Sequence, residues 1–174
     1  KAYQFLWNER DTILNALLIS VAVTCIGTLL GLSVTTAMGY ALSRPNFKLK
    51  QFYTWVIFIP MLFSGGLVAS YMINAQVLGL KNTYWVLILP ICCSSFYIII
   101  MRTFFSNSIP YELQEAAQID GCTPFGILVR IILPLSIPVM CVIGLYYGVF
   151  LWNSYFQSLI YLTDKDKWPL QLFL

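Results

Sequence analysis

Histidine is absent from all 174 residues. Without an imidazole there is no His-based catalytic triad, no haem ligation by histidine and no zinc centre of the usual kind. Charge is scarce too: 17 charged side chains leave a net +3, and charged residues are 10% of the chain against about 25% in a soluble protein. No basic cluster is present, so nucleic acid has no electrostatic footprint here and is not expected as a partner. The five cysteines form no C-x-x-C pair. Cys25, Cys92, Cys93 and Cys141 lie in apolar runs and Cys122 stands alone, and all five read as small hydrophobes. A phosphate loop of the G-x-x-x-x-G-K-[ST] type is missing as well. No catalytic residue, metal ligand or cofactor-binding residue is therefore expected.

What fills the chain is apolar. Hydrophobic residues make up 59% against roughly 45–50% in a soluble chain, and the mean hydropathy is +0.78. No charge falls in residues 12–43, 51–80, 82–101 or 131–163. A membrane-crossing helix needs roughly 20 apolar residues, and each gap is long enough. The expected fold class is an all-α membrane protein, a polytopic helix bundle forming one transmembrane domain over residues 1–174. The chain opens on Lys1 rather than methionine and stops inside an apolar pattern, so we read it as a piece of a longer protein.

Four spans are expected, at about 13–42, 52–78, 84–101 and 131–162. The first carries small residues every fourth position, Gly27, Gly31, Thr35 and Gly39, the spacing that lets helix backbones approach. Pro60 with Gly65 and Gly66, then Pro90, then Pro134 and Pro138 interrupt the other three. Arg44, Lys48 and Lys50 lie in the first connection, Lys81 alone in the second, and Arg102 and Arg130 at the margins of the third. By the positive-inside rule the first and third connections are cytoplasmic. Tyr3, Trp7, Tyr53, Trp55, Tyr84, Trp85, Tyr161 and Trp168 stand near span ends, where aromatic belts form.

The third connection, residues 102–130, has structure of its own. Ser108-Ile109-Pro110 opens a helical pattern, Glu112 and Glu115 complement its dipole, and Ile109, Leu113, Ala116 and Ala117 share an apolar face. Gly121 ends it as a left-handed cap. Thr123-Pro124 starts a second helix that runs into the last span. A helix lying on the membrane would want a Lys/Arg face. This one has Glu112, Glu115 and Asp120, so a protein partner is favoured over an anionic leaflet.

Glu115-Ala116-Ala117, three residues, Gly121, nine residues, Ile131, one residue, Leu133-Pro134 resembles the EAA loop of ABC importer permeases. Ile109-Pro110-Tyr111-Glu112-Leu113 before it and Asp120 beside Gly121 agree, with Cys122 where alanine is frequent. Asn15-Ala16 and Tyr40-Ala41-Leu42-Ser43-Arg44 are similar to the ends of that family's second span. Trp152-Asn153-Ser154-Tyr155-Phe156, Leu159-Ile160-Tyr161-Leu162 and Trp168-Pro169-Leu170-Gln171 resemble the carbohydrate-uptake branch, in particular the smaller permease of maltose-type and oligosaccharide-type systems. The resemblance implies a subunit, not itself an enzyme, in a bacterial or archaeal cytoplasmic membrane. Its implied partners are ABC ATPase subunits, a second permease subunit, an extracellular solute-binding protein and membrane lipid.

It also implies roles for residues. Glu115 is a polar contact to the ATPase, Ala116 and Ala117 permit close approach, Asp120 and Gly121 form the turn, and Ile131, Leu133 and Pro134 join the coupling segment to the last span. For a sugar, polar and aromatic side chains inside spans are candidates: Asn74, Gln76, Ser94, Ser95, Asn153, Gln157, Tyr97, Tyr146, Tyr147 and Trp152. Interhelical hydrogen bonding and packing is the competing account of each. The rival functions are a permease of the same kind for an amino acid, peptide or phosphate, and a non-ABC carrier or intramembrane enzyme. The latter two call for ionisable groups within spans, which this sequence lacks.

Overall fold

The computed structural model describes residues 10–164 and 167–173, the last without its side chain. Tyr3 and Trp7, placed above in the aromatic belts, lie outside the described residues. The described residues contain helices and no strand. They are α1 (Arg10–Ser43), α2 (Lys50–Leu62), α3 (Gly66–Met72) continuing as a π-helical turn (Ile73–Val77), α4 (Trp85–Cys92), α5 (Ser95–Ser108), α6 (Tyr111–Ile119), α7 (Pro124–Leu135), α8 (Ile137–Trp152), α9 (Tyr155–Tyr161) and α10 (Leu170–Phe173).

By length and composition α1 can cross a membrane alone, and α4 with α5, or α7 with α8, can do so as bent pairs. The expected span 52–78 is not one helix. It divides at residues 63–65: Phe63 leaves α2 in extended backbone, φ −120° and ψ 99°, and Gly66, at φ +79°, opens α3 in a conformation glycine adopts without steric cost. The span expected at 84–101 breaks after Cys92 and then runs past Met101 to Ser108. Arg102 ends an apolar run but not a helix, since arginine is a good helix former. What ends α5 is Ile109, pushed to φ −115°, ψ 109° by the proline that follows it. The expected connection 102–130 thus begins with the C-terminal half of α5, and it holds α6 and the start of α7.

The span expected at 131–162 is divided twice. Pro134 cannot donate to the carbonyl one turn back, and the backbone before it widens into a π-turn at Leu128–Ile132. At Ser136 the chain bends by 82°. The hydroxyl of buried Ser136 donates to the Ile132 carbonyl at 2.6 Å, and Pro138 offers no N–H to restore the ladder. A second break falls at Asn153 and Ser154, before α9.

The residues form two compact units, one of residues 1–31, 65–92 and 146–174, the other of 32–64 and 93–145. In the first, Val23, Val86, Leu87, Ile88, Cys92, Leu151, Tyr161 and Leu162 make the core. The small-residue stripe of α1 is used there: a Cβ on Gly27 would stand 2.6 Å from Leu151 Cδ1, and one on Gly31 would stand 3.0 Å from the Tyr147 ring. In the second unit Leu42, Ile57 and Ile98 form a smaller core. Gly39 lies against Met101 there, where a Cβ would be 2.9 Å from Met101 Cγ and 3.2 Å from the Arg102 nitrogen.

Candidate coupling elbow

Helix α6 begins after Pro110, whose φ −58° and ψ 137° place it at the cap, and Glu112 lies in the first turn. The helix turns Gln114 and Ala117 inward, both buried, and Ile109 before it is buried too. Glu112, Leu113, Glu115, Ala116 and Ile119 are exposed, Ile119 at 86%. The apolar face expected from Ile109, Leu113, Ala116 and Ala117 is therefore split. Ile109 and Ala117 serve the interior, while Leu113 and Ala116 join Ile119 in an outward stripe with Glu112 and Glu115 along one flank. Periodicity identifies apolar positions but not which of two apolar sides the chain itself covers.

The C-terminal end is a Schellman turn. Cys122 N–H donates to the Ala117 carbonyl at 2.9 Å and Gly121 N–H to the Gln118 carbonyl at 3.0 Å, with Gly121 at φ +80°. Thr123 then caps α7: its hydroxyl accepts from Gly126 N–H at 3.2 Å, and Pro124 fills the first position, where its missing N–H costs nothing. Both expected local signals, left-handed glycine and Thr-Pro cap, are present. A concavity of about 600 Å³ opens at this elbow between Asp120, Thr123, Phe125 and Arg130. Phe125 is 73% exposed. Farther along α7, Ile131 and Leu133 are half-buried, Pro134 is exposed, and Ile127 and Ile132 anchor the helix in the interior.

The candidate solute contacts are divided between the two units. Ser94, Ser95 and Tyr97 belong to the second unit and the others to the first. Asn74 Nδ2 donates to the Tyr161 hydroxyl at 3.2 Å, and Tyr161 stacks on Tyr71 with ring centroids 5.5 Å apart. Asn153 is exposed and returns its amide to the Val149 carbonyl at 2.8 Å. Tyr147 is wholly buried beside Gly31, so it offers no face to a solute. Gln76 and Tyr146 are exposed, whereas Trp152 and Gln157 are half-buried.

Sequence reasoning missed a clasp in the first unit. Asn82 takes φ +62°. It donates from its backbone to the Tyr161 carbonyl at 3.0 Å and from Nδ2 to Asp164 at 2.5 Å. Lys167 Nζ donates to the Asn82 carbonyl at 3.1 Å and lies 3.2 Å from the Asp164 carboxylate. The amide of Asn82, then Lys167, hold the Asp164 carboxyl below its ordinary pKa. The available signal was an asparagine beside Lys81 in a short turn, since asparagine tolerates the left-handed region.

With helices and no strand among the described residues and this elbow established, residues 27–166 match the family described as the binding-protein-dependent transport system inner membrane component. The chain belongs to this family. Among curated relatives, this inner membrane component is 42% identical over 173 residues to the polygalacturonan/rhamnogalacturonan transport system permease protein YtcP of Bacillus subtilis, covering 99% of the chain and 59% of that protein. It is 30% identical over 154 residues to the arabinooligosaccharides transport system permease protein AraQ of Halalkalibacterium halodurans, covering 88% of the chain and 55% of that protein. It thus spans a little over half the length of these relatives. Among solved structures, a bacterial ABC transporter involved in the import of the acidic polysaccharide alginate superposes with a TM-score of 0.81 at 30% identity, over 91% of this chain and 57% of that one.

Proposed function

We propose that this inner membrane component is part of the permease of an ATP-driven importer for a sugar or oligosaccharide, with α6 as the helix through which a separate ATPase acts. The observation that carries the coupling role is the two-sidedness of α6. Gln114 and Ala117 hold it to the chain, a Schellman turn fixes its exit, and Leu113, Ala116 and Ile119 face outward with Glu112 and Glu115 along one flank. An apolar stripe with acids along one flank suits a groove that offers apolar walls and a basic edge. Ala116 keeps that stripe shallow enough for close approach, whereas Ala117 does its packing inward.

The chain supplies position and transmits motion; the ATPase supplies energy. When nucleotide closes an ATPase dimer, a helix seated in its groove is displaced. The Gly121 elbow then passes that displacement to α7 and the bent α7–α8 pair. Alternating access follows if each state binds its partners with different free energy. A second permease chain and an extracellular solute-binding protein complete the assembly, and lipid covers apolar residues such as Leu29 and Val68, which the chain leaves exposed. The carbohydrate class is supported by the names of the relatives. The uncharged spans favour a neutral solute, but the alginate importer moves an acidic one, so charge does not narrow the class.

The test is co-purification and hydrolysis. The purified permease alone should hydrolyse no ATP, and should capture its ATPase and show hydrolysis that rises with loaded binding protein. Glu115→Arg should reduce capture about tenfold, as expected for replacing an anchor by a like charge facing a basic edge. Capture unchanged by Glu115→Arg together with Ala116→Trp would remove α6 from the ATPase interface.

A further inference from the structure

Three shielded side-chain polar atoms in the second unit have no hydrogen-bond partner among the described residues: Thr36 Oγ1 within α1, and two that lie on neighbouring segments. Arg44 Nε, just beyond α1, and Gln114 Oε1, on the inward side of α6, are buried with no hydrogen-bond partner among the described residues. Gln114 is only 5% exposed. One atom can only donate and the other can only accept. A buried polar group left unmade is costly, and both costs vanish together if these two atoms meet.

Their segments are already joined. Asn46 Nδ2 donates to the Tyr111 hydroxyl at 3.4 Å. Arg44 lies two residues before Asn46, and Gln114 lies three after Tyr111, on the same side of α6. The Arg44 head is held against Tyr40: Nη2 donates to the Tyr40 hydroxyl, and Cζ sits 4.6 Å from the Tyr40 ring centre. Tyr40 in turn stands edge-on to Phe105 at 6.3 Å. Nε is a buried donor without a partner, on a side chain held by Tyr40 of α1.

We propose that Arg44 Nε donates to Gln114 Oε1 in a second conformational state, and that this bond fastens α6 to the end of α1 when α6 is displaced. The proposal rests on reading α6 as the coupling helix. A hydrogen bond to a charged donor favours the state that makes it by about tenfold or more. Gln114 is then a positioning residue. It gives the displaced α6 a second route into the bundle, through α1, besides the covalent route through Gly121 into α7.

The experiment is a double-mutant cycle on the assembled complex in proteoliposomes, read as solute uptake per inserted permease. Gln114→Met should lower uptake about tenfold beside Arg44, and less than about twofold beside Arg44→Met, because loss of the Tyr40 contact is common to both arms and cancels. Gln114→Glu, which keeps an acceptor, should restore uptake to within about twofold of wild type. As a second readout, an Arg44→Cys/Gln114→Cys pair in a Cys122→Ala background should cross-link at different rates with and without a non-hydrolysable ATP analogue. Equal loss from Gln114→Met in both backgrounds, or a cross-linking rate indifferent to nucleotide, overturns the pair. Wild-type complex that captures its ATPase and transports while the cycle is additive sinks this inference alone. A wild type that captures no ATPase sinks the coupling reading and the inference with it.

Discussion

Gly121→Val should uncouple the protein without unfolding it. Gly121 sits at φ +80° with nothing within 4 Å of where a Cβ would stand, so the cost is backbone strain and not a clash. A left-handed conformation costs an L-residue about 1–2 kcal/mol, and a β-branched one is the worst placed to bear it. The strain is relieved if φ turns negative. That breaks the Gly121 N–H bond to Gln118 and the Cys122 N–H bond to Ala117, and α6 then leaves α7 at another angle. A penalty of this size is roughly a 5–30-fold drop in the population with the native elbow. Uptake per inserted protein and ATPase capture should fall by about that factor. Insertion should be unaffected, because α1, α4, α5 and α8 are untouched. Gly121→Asn should fall by less than about threefold, since asparagine visits this region. The assay is uptake normalised to membrane-inserted protein, with capture measured in parallel. Normal uptake by Gly121→Val at normal abundance, or equal losses for Val and Asn, would refute the reasoning.

Three further outcomes are expected. Gly27→Val should lower the amount of folded protein by forcing Leu151 aside, and Gly39→Val should lower it more, because Met101 is wholly buried and the Arg102 backbone stands behind it; detergent-stable protein on size exclusion checks the order. Cys122, which is partly exposed at the elbow, should react with membrane-impermeant maleimide in sealed right-side-out vesicles only after permeabilisation, and labelling before it would invert the assigned sidedness. Asp164→Asn should loosen the Asn82 clasp at neutral pH. Because the folded carboxyl titrates below its ordinary value of 3.8, its contribution is present above that pH and disappears as pH falls through the lowered value. The difference in thermal melting between wild type and Asp164→Asn should therefore shrink in that acid window.

What the sequence determined by itself is what local interactions decide. Four charge-free stretches dictate an apolar helical protein, because a backbone in lipid must satisfy its own hydrogen bonds. The elbow was equally legible: a Schellman turn and a Thr-Pro cap are settled within about six residues, and Gly121, Thr123 and Pro124 carry them. The helix breaks were half legible. Pro134, Pro138 and Gly66 mark where a ladder can fail, yet Pro60 and Pro90 lie inside α2 and α4, so only packing decides which breakers break. Tertiary structure alone decided the rest. It chose the Gln114–Ala117 side of α6 as the inner one, leaving Leu113 and Ala116 outside. It joined Asn82 to Asp164 across 82 residues of chain, and it buried Arg44 Nε and Gln114 Oε1 unpaired. These depend on which distant segments share a volume, and side-chain periodicity along one helix carries no information about that.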